Sequence, residues 1–182
     1  MAAVQSALQS EANARSEMAR RLTDFLFDGA RLLDDRRWAE WLSTCTHDID
    51  YTVHTRANLN LMREGDTFDD VLPYVKCDYR ALELRVQMLT REWHAVDPAP
   101  WTLHVVSNVR CWVDGKASAE KERYRVEALC IVHRNRIGED LVIFPCRYED
   151  EIEVAADGSM KLASRLVIVE AERIDGALAY LL

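Results

Sequence analysis

The residues with the greatest potential for chemistry cluster around one short predicted strand. His47, Asp48, Asp50 and His54 surround this strand, and Tyr51 lies in its middle. Two histidines and a carboxylate form a ligand set that iron accepts in some proteins. We favour the simpler interpretation that these are polar residues on one strand face beside a polar loop. Asp50, His54 and Tyr51 stay candidates for a general acid–base site.

Other kinds of active site find little support in the sequence. The five cysteines are far apart and include no CxxC pair, which predicts reduced thiols without zinc or an iron–sulfur cluster. Cys111 and Cys130 alternate with valine and alanine, and we expect them to be buried structural thiols. No GxSxG motif and no glycine-rich phosphate loop is present.

The composition narrows the choice of partners. A chain of 182 residues fits one domain, residues 1–182, and a net charge of −8 argues against nonspecific binding to nucleic acid or to an anionic membrane. No apolar run approaches the length of a bilayer span. The N-terminus lacks the apolar segment of a secretory signal, since Glu11, Arg15 and Glu17 interrupt it. We therefore predict a cytoplasmic protein.

The elements that position these residues begin with helices. After a flexible extension over residues 1–10, apolar residues at helical spacing predict a helix over residues 12–33. Asp34 or Asp35 is placed to cap a second short helix that carries Trp38, Trp41 and Leu42. The strand follows over residues 49–54.

A polar connection over residues 56–76 comes next, and its length suggests a functional or partner-bound loop. Asp78 begins a helix over residues 79–91. Pro98 and Pro100 then end the helical region.

Four segments between Trp101 and Glu170 alternate in hydrophobicity and predict consecutive strands. In residues 102–113 the odd positions, from Leu103 to Val113, are expected to face the helices, with His104 on the opposite, more polar face. In the next strand the alternate residues from Tyr124 to Val132 are expected to face inward. Pro145 suggests an edge position or a bulge in the third strand, and Asp157-Gly158 predicts the turn before the fourth.

The opposite face of these strands has the composition of a protein interface. Two adjacent strands present the following residues there: Arg110, Trp112, Arg123, Arg125 and His133, beside Leu129 and Ile131. Arginine and tryptophan next to aliphatic residues are typical of binding surfaces. A solvated face with a few stray apolar residues is the alternative.

Helices followed by a curved, mostly antiparallel sheet resemble the NTF2-like (cystatin-like) α+β cone, in which helices pack on the inner face of the sheet. Local motifs narrow the resemblance to the small (beta) subunits of aromatic-ring-hydroxylating dioxygenases. The motifs are Leu33-Asp34, Arg37-Trp38, Trp41-Leu42, Asp48 to Tyr51, Arg80 to Val86, Asp97-Pro98, His104 to Val109, Arg147 to Asp150, and Arg165 to Glu170. Glu170 departs from the family pattern, where aspartate is common.

The resemblance implies a subunit without its own catalytic, cofactor or metal site. In that family the large (alpha) subunit carries a Rieske 2Fe-2S cluster and a mononuclear iron, and three small subunits form a base beneath three large ones. We therefore expect an alpha-subunit partner and a trimer within an α3β3 hexamer. The expected interface residues are Arg80, Arg85, Trp93, Trp101, Arg110, Trp112, Arg123 and Arg125. Two alternatives stay open: a stand-alone isomerase, dehydratase or cyclase using Asp50, His54 and Tyr51, and a binding module with no oxygenase partner.

Overall fold

The computed structural model of the chain describes residues 2–56, 62, 64, 71–91, 101–114, 121–135, 137–138 and 141–171. Three helices and six strands follow one another in these residues. They are α1 (Ala2–Asp34), α2 (Trp38–Ser43), β1 (Cys45–Thr55), β2 (Val75–Cys77), α3 (Tyr79–Arg91), β3 (Trp101–Val113), β4 (Lys121–Asn135), β5 (Val142–Ala155) and β6 (Met160–Val169).

The six strands form one mixed sheet in the order β2-β1-β6-β5-β4-β3. Only the β1–β6 pair is parallel, and the other four neighbouring pairs are antiparallel. Helix α1 packs against β3, whereas α2 and α3 pack against each other and against β1. The predicted fold class, an NTF2-like α+β cone with a mostly antiparallel curved sheet, is therefore confirmed.

The helices follow their apolar spacing. Leu22, Leu26 and Leu33 of α1 are buried, as are both tryptophans of α2. Helix α1 begins at Ala2, ten residues before its predicted start, so the stretch predicted as an extension has helical backbone. Helix α3 has its predicted bounds, and the Asp78 carboxylate caps it by accepting a 2.8 Å hydrogen bond from the backbone N–H of Ala81.

The predicted cap of α2 is wrong. Arg37 precedes α2 and makes no side-chain capping bond. Asp34 is instead the last residue of α1, where its carboxylate accepts hydrogen bonds from the backbone N–H of His104 at 3.0 Å and from the ring Nδ1 at 2.6 Å. This contact fastens the end of α1 to the edge strand β3.

The predicted inner face of β3 is correct only for the second half of the strand. His104 is buried and Val106 half-buried, whereas Leu103 and Val105 are exposed. After Asn108 the odd residues Val109 and Cys111 turn inward, as expected. Burial of His104 also overturns the expectation that it lies on an exposed face.

A β-bulge explains the change of face. Ser107 pairs with Leu129 and Arg110 with Glu127, so two residues of β3 oppose the single residue Ala128. Asn108 has a φ of 53°, in the left-handed region that asparagine tolerates better than most residues. The extra residue reverses the alternation along the strand.

The predicted faces of β4 are confirmed, since alternate residues from Tyr124 to Val132 are buried. The edge position predicted for Pro145 is confirmed locally, although β5 as a whole lies inside the sheet and pairs with β4 without a bulge. The pairing of β5 with β6 ends at Cys146 and Val169, so the ladder does not need the N–H that proline lacks. The Pro145 carbonyl still accepts a 2.8 Å hydrogen bond from the backbone N–H of Glu170.

The turn at Asp157-Gly158 is confirmed, with Gly158 at a φ of 83°. None of the helices in the described residues is long and apolar enough to cross a membrane.

Candidate functional site

Within the described part of the chain, the candidate acid–base residues do not line one common cavity. Tyr51 and His54 are buried, and Tyr51 packs edge-on against Trp41 with ring centroids 6.1 Å apart. Asp50 is exposed, accepts a 2.9 Å hydrogen bond from the Thr52 hydroxyl and lies 3.9 Å from the Lys76 ammonium. Because successive residues of a strand face opposite sides, Asp50 and Tyr51 cannot act on one substrate atom within the cone.

The interior of the cone holds a buried ion pair. Arg165 on β6 and Asp150 on β5 are direct cross-strand neighbours. The guanidinium donates from Nε to one carboxylate oxygen at 3.0 Å and from Nη2 to the other at 2.7 Å. It also lies over the Tyr148 ring, 4.4 Å from the centroid. Each charge is therefore neutralised by the other inside the core, and the Tyr148 ring adds a cation–π contact.

The pKa values of this pair reflect two opposing effects. Burial alone would lower the pKa of Arg165, but the charge of Asp150 and its hydrogen bonds outweigh burial and raise that pKa. Burial raises the pKa of Asp150, and the charge of Arg165 works against this increase. We treat both groups as ionised near neutral pH, because a guanidinium held in a two-bond geometry does not give up its proton.

The buried thiols are not set up as nucleophiles. Burial raises the pKa of Cys45 to about 12 and also raises the pKa of Cys130 and Cys146. A thiol with a raised pKa stays protonated at neutral pH and reacts slowly. All five cysteines are free, as predicted.

No metal-binding cluster is found among the described residues, where no three His, Cys, Asp or Glu side chains come together. His47, one of the four residues considered above, packs against the Tyr79 ring with centroids 4.4 Å apart. The geometry thus offers no ligand set for iron in the described part of the chain.

Two open clefts lined by described residues lie outside the core. One of about 460 Å³ separates the end of α1 from β3 and includes Asp34, His104 and Phe27. The other, of about 380 Å³, includes Asp50, Lys76 and Cys77 beside the start of α3. Neither brings Asp50, His54 and Tyr51 together.

The outer face of β3, β4 and β5 carries several exposed apolar residues. Its first half is aliphatic, and we call it the outer apolar patch; its members are Leu103 (55% exposed), Val105 (45%), Leu129 (39%), Ile131 (42%) and Ile143 (49%). A row of five partly exposed aliphatic residues on adjacent strands is unusual for a free surface.

The second half of this face is charged but internally neutralised. Arg123 pairs with Glu151 at 3.0 Å and with Glu153, while Arg125 lies 3.0 Å from Glu127 and 3.2 Å from Glu149. The hydrogen bond from Lys121, followed by that from Arg123, lowers the pKa of Glu153. Glu153 therefore keeps its charge, and the positive and negative groups of this half offset one another.

The predicted interface residues fall in three places. Trp112 (46% exposed) and the exposed Arg110 lie in the second half of β3, beside the paired Arg125 of β4 and near Arg123. Trp101 (55% exposed) lies at the other end of β3, opposite Asn135. Arg80 and Arg85 lie on α3, far from that face in the strand order. Arg80 pairs with Glu83, and the half-buried Arg85 donates to the Cys77 sulfur at 3.2 Å. Trp93 lies outside the described residues.

Sequence reasoning missed Leu103, Val105 and Ile143 as surface residues. Strict alternation through the whole of β3 predicts that Leu103 and Val105 face inward, but the bulge reverses the two faces of the strand. The one available signal was Asn108, since asparagine is uncommon within strands and favours positive φ. Nothing in the local sequence pointed to the contact between Asp34 and His104, which are 70 residues apart.

Comparison with known proteins agrees with this fold. Residues 28–176 match the family described as ring hydroxylating beta subunit. The chain is 29% identical over 158 residues to the biphenyl 2,3-dioxygenase subunit beta of Rhodococcus jostii RHA1, covering 84% of this chain and 82% of the relative.

It is also 27% identical over 179 residues to the benzene 1,2-dioxygenase subunit beta of Pseudomonas putida F1, covering 92% and 89% of the two chains. A solved structure of naphthalene 1,2-dioxygenase superposes with a TM-score of 0.76 at 21% identity, covering 92% of this chain and 86% of that one. This chain therefore belongs to the family of ring-hydroxylating beta subunits.

Proposed function

We propose that this chain is the small subunit of the terminal oxygenase of an aromatic-ring-hydroxylating dioxygenase. The observation that carries the proposal is the family match over residues 28–176. The relatives named above are beta subunits of dioxygenases acting on biphenyl and benzene. The complex would use O2 and NAD(P)H in the catabolism of aromatic compounds.

In this proposal the reaction takes place on the alpha subunit. We place both the Rieske cluster and the mononuclear iron there, in agreement with the scattered cysteines and the packed interior of this chain. The role of this chain is to stabilise the assembly. The geometry of the described residues also gives no support to a stand-alone isomerase, because Tyr51 and His54 are buried whereas Asp50 is exposed.

We further propose that three copies assemble with three alpha subunits in an α3β3 hexamer. The whole chain, residues 1–182, would form one domain that functions in the cytoplasm. The proposed contact residues remain Arg80, Arg85, Trp93, Trp101, Arg110, Trp112, Arg123 and Arg125. Trp112 and Arg110 are the leading candidates among them. Trp112 is exposed, and the nearby Arg110 forms no ion pair among the described residues.

Co-expression with candidate alpha subunits tests the proposal. We expect this chain to co-purify with an alpha subunit at equal stoichiometry by native mass spectrometry, and iron to stay with the alpha subunit after separation. Trp112→Ala should weaken assembly by roughly tenfold or more, as expected for a central aromatic contact. Arg20→Ala, at an exposed ion pair on α1, is the matched control and should leave assembly unchanged.

Stoichiometric iron in the separately purified chain, or turnover of an aromatic compound by that chain alone, would refute the assignment of the metal centres. Failure to bind any alpha subunit would refute the proposed role itself.

A further inference from the structure

We propose that the cleft between the end of α1 and β3 binds a neutral aromatic molecule that carries a hydroxyl group. The Asp34–His104 pair supplies the acceptors for that hydroxyl, and the apolar walls of the cleft hold the ring. No role assigned to this chain above uses this cleft.

His104 has one ring nitrogen held by Asp34 and one without a partner. The Asp34 carboxylate accepts a 2.6 Å hydrogen bond from Nδ1 and a 3.0 Å hydrogen bond from the His104 backbone N–H. Because an ionised carboxylate only accepts, Nδ1 carries the hydrogen, and Nε2 of the neutral ring is an acceptor. Nε2 is buried and has no hydrogen-bond partner in the part of the chain that the structure describes. Such unpaired atoms are rare inside proteins, and a donor from a ligand relieves the cost of leaving one unpaired.

Both members of the pair belong to the wall of this cleft. The His104 side chain is 1% exposed and the Asp34 side chain 17%, which places the imidazole at the base and the carboxylate nearer the mouth. The Asp34 oxygen Oδ2 accepts only the bond from the His104 backbone N–H among the described residues, so it has a lone pair left for a ligand. A hydroxyl that enters the cleft therefore meets a carboxylate whose position is fixed by two bonds to β3.

The rest of the wall is mostly apolar. Phe27 of α1 is 45% exposed and faces the cleft together with Leu103 and Val105 of β3. The volume of about 460 Å³ falls within the range of about 300–1,000 Å³ that is typical of small-molecule sites. Apolar walls with a few polar groups are the usual composition of such sites, and an aromatic ring packs well against a phenylalanine.

Charge at the mouth favours a neutral ligand. Arg31 and Asp35 lie in the same wall, 3.6 Å apart, and offset each other. The Asp34 carboxylate and the net charge of −8 repel an anion. A cationic amine also donates to Asp34, but the exposed guanidinium of Arg31 opposes its entry. A hydroxyl donates to the carboxylate without a charge of its own.

This ligand class has a relation to the proposed function. A ring-hydroxylating complex converts rings without hydroxyl groups into rings that carry them, so the site distinguishes molecules like the product from molecules like the substrate. That relation rests on the proposed function, whereas binding in the cleft does not.

Calorimetric titration of the full-length chain with three probes tests the inference. Phenol carries the ring and the hydroxyl, anisole has a methyl group in place of the hydroxyl hydrogen, and benzylamine carries a cation. We expect phenol to bind with a Kd on the order of 1 mM, an ordinary affinity for so small a ligand. Anisole and benzylamine should bind at least about tenfold more weakly. Equal or tighter binding of either one would overturn the proposed ligand class.

A variant that fills the cleft tests the location. Val105→Trp narrows the cleft from a half-exposed position without altering the Asp34–His104 pair, and it should weaken phenol binding by at least about tenfold. Leu129→Trp is the matched control, because Leu129 has a similar exposure (39%, against 45% for Val105) on β4 and does not line the cleft. It should leave phenol binding unchanged, and circular dichroism melting curves should show that both variants are folded. Unchanged phenol binding by Val105→Trp would overturn the location.

The nitrogen resonances of His104 show whether the hydroxyl engages the pair. The ¹⁵N signal of Nε2, assigned through its coupling to the ring protons of His104, should move when phenol is added and stay in place when anisole is added. An unmoved signal in the presence of saturating phenol would overturn the role of the pair.

Co-purification with an alpha subunit separates this inference from the proposed function. A chain that binds an alpha subunit but not phenol would overturn the site and leave the proposed function intact. A chain that binds phenol in the cleft but no alpha subunit would support the site and refute the proposed function.

Discussion

At the scale of single residues, the interior is dominated by the Arg165–Asp150 pair. Both side chains are buried, and the arginine contacts the carboxylate with two hydrogen bonds and the face of Tyr148. Buried pairs contribute less to net stability than their geometry suggests, because desolvation offsets the attraction. Removing one partner is different, since it leaves an uncompensated charge in the core.

We predict that Asp150→Ala destabilises the chain by about 3–5 kcal/mol, because the Arg165 cation loses its only described carboxylate partner. Urea unfolding followed by circular dichroism measures the change.

Two controls accompany this prediction. Asp24→Ala removes one partner of an exposed ion pair with Arg20 and should cost no more than about 1 kcal/mol. The double variant Asp150→Leu, Arg165→Met removes both charges and should be more stable than Asp150→Ala. A single variant as stable as the wild type would show that the pair is not tightly buried.

At the scale of elements, the bulge in β3 decides which residues reach the surface. Asn108 at a φ of 53° inserts one residue opposite Ala128. Before the bulge, His104 faces α1 and bonds Asp34; after it, Arg110 and Trp112 reach the outer face. One irregular residue thus sets both the docking of α1 and the composition of the outer face.

We predict that Asn108→Val destabilises the chain by about 1–2 kcal/mol, because a β-branched residue is strained at positive φ. Asn108→Gly should be close to neutral, since glycine adopts this conformation without steric cost. Chemical denaturation of the two variants, compared with wild type, measures the difference. Equal stability of the Val and Gly variants would contradict the left-handed conformation.

At the scale of the whole molecule, the packed cone and the uncovered outer face fit a structural subunit. The interior is filled with apolar side chains around the ion pair. The surface carries an aliphatic patch and exposed tryptophans, a combination that is uncommon on a monomeric protein. The surface is therefore a better candidate for the functional site than an internal pocket.

We predict that Asp50→Ala leaves turnover of the assembled dioxygenase within about twofold of wild type, because Asp50 is an exposed strand residue and not part of the proposed catalytic subunit. Steady-state oxygen consumption by the complex measures the effect. A hundredfold or greater loss of turnover with the assembly intact would identify Asp50 as a catalytic residue.

Much of the fold was predictable because it follows from local patterns. The helix over residues 79–91 has a capping aspartate and apolar residues on one face, and β4 alternates without interruption. The prediction failed where one residue broke the pattern, at Asn108, and where a contact joined distant segments, as between Asp34 and His104. At Pro145 the prediction was incomplete, because only the tertiary structure shows that β5 lies inside the sheet while its pairing with β6 ends at Cys146.

The sequence by itself determined the succession of elements, the family resemblance and the lack of a recognisable catalytic motif, because these depend on residue type and spacing along the chain. Only the tertiary structure decided that Asp150 meets Arg165 in the core and that Leu103, Val105 and Ile143 form one surface with β4. Those results depend on strand order, register and a bulge, which arise from contacts between segments far apart in the chain.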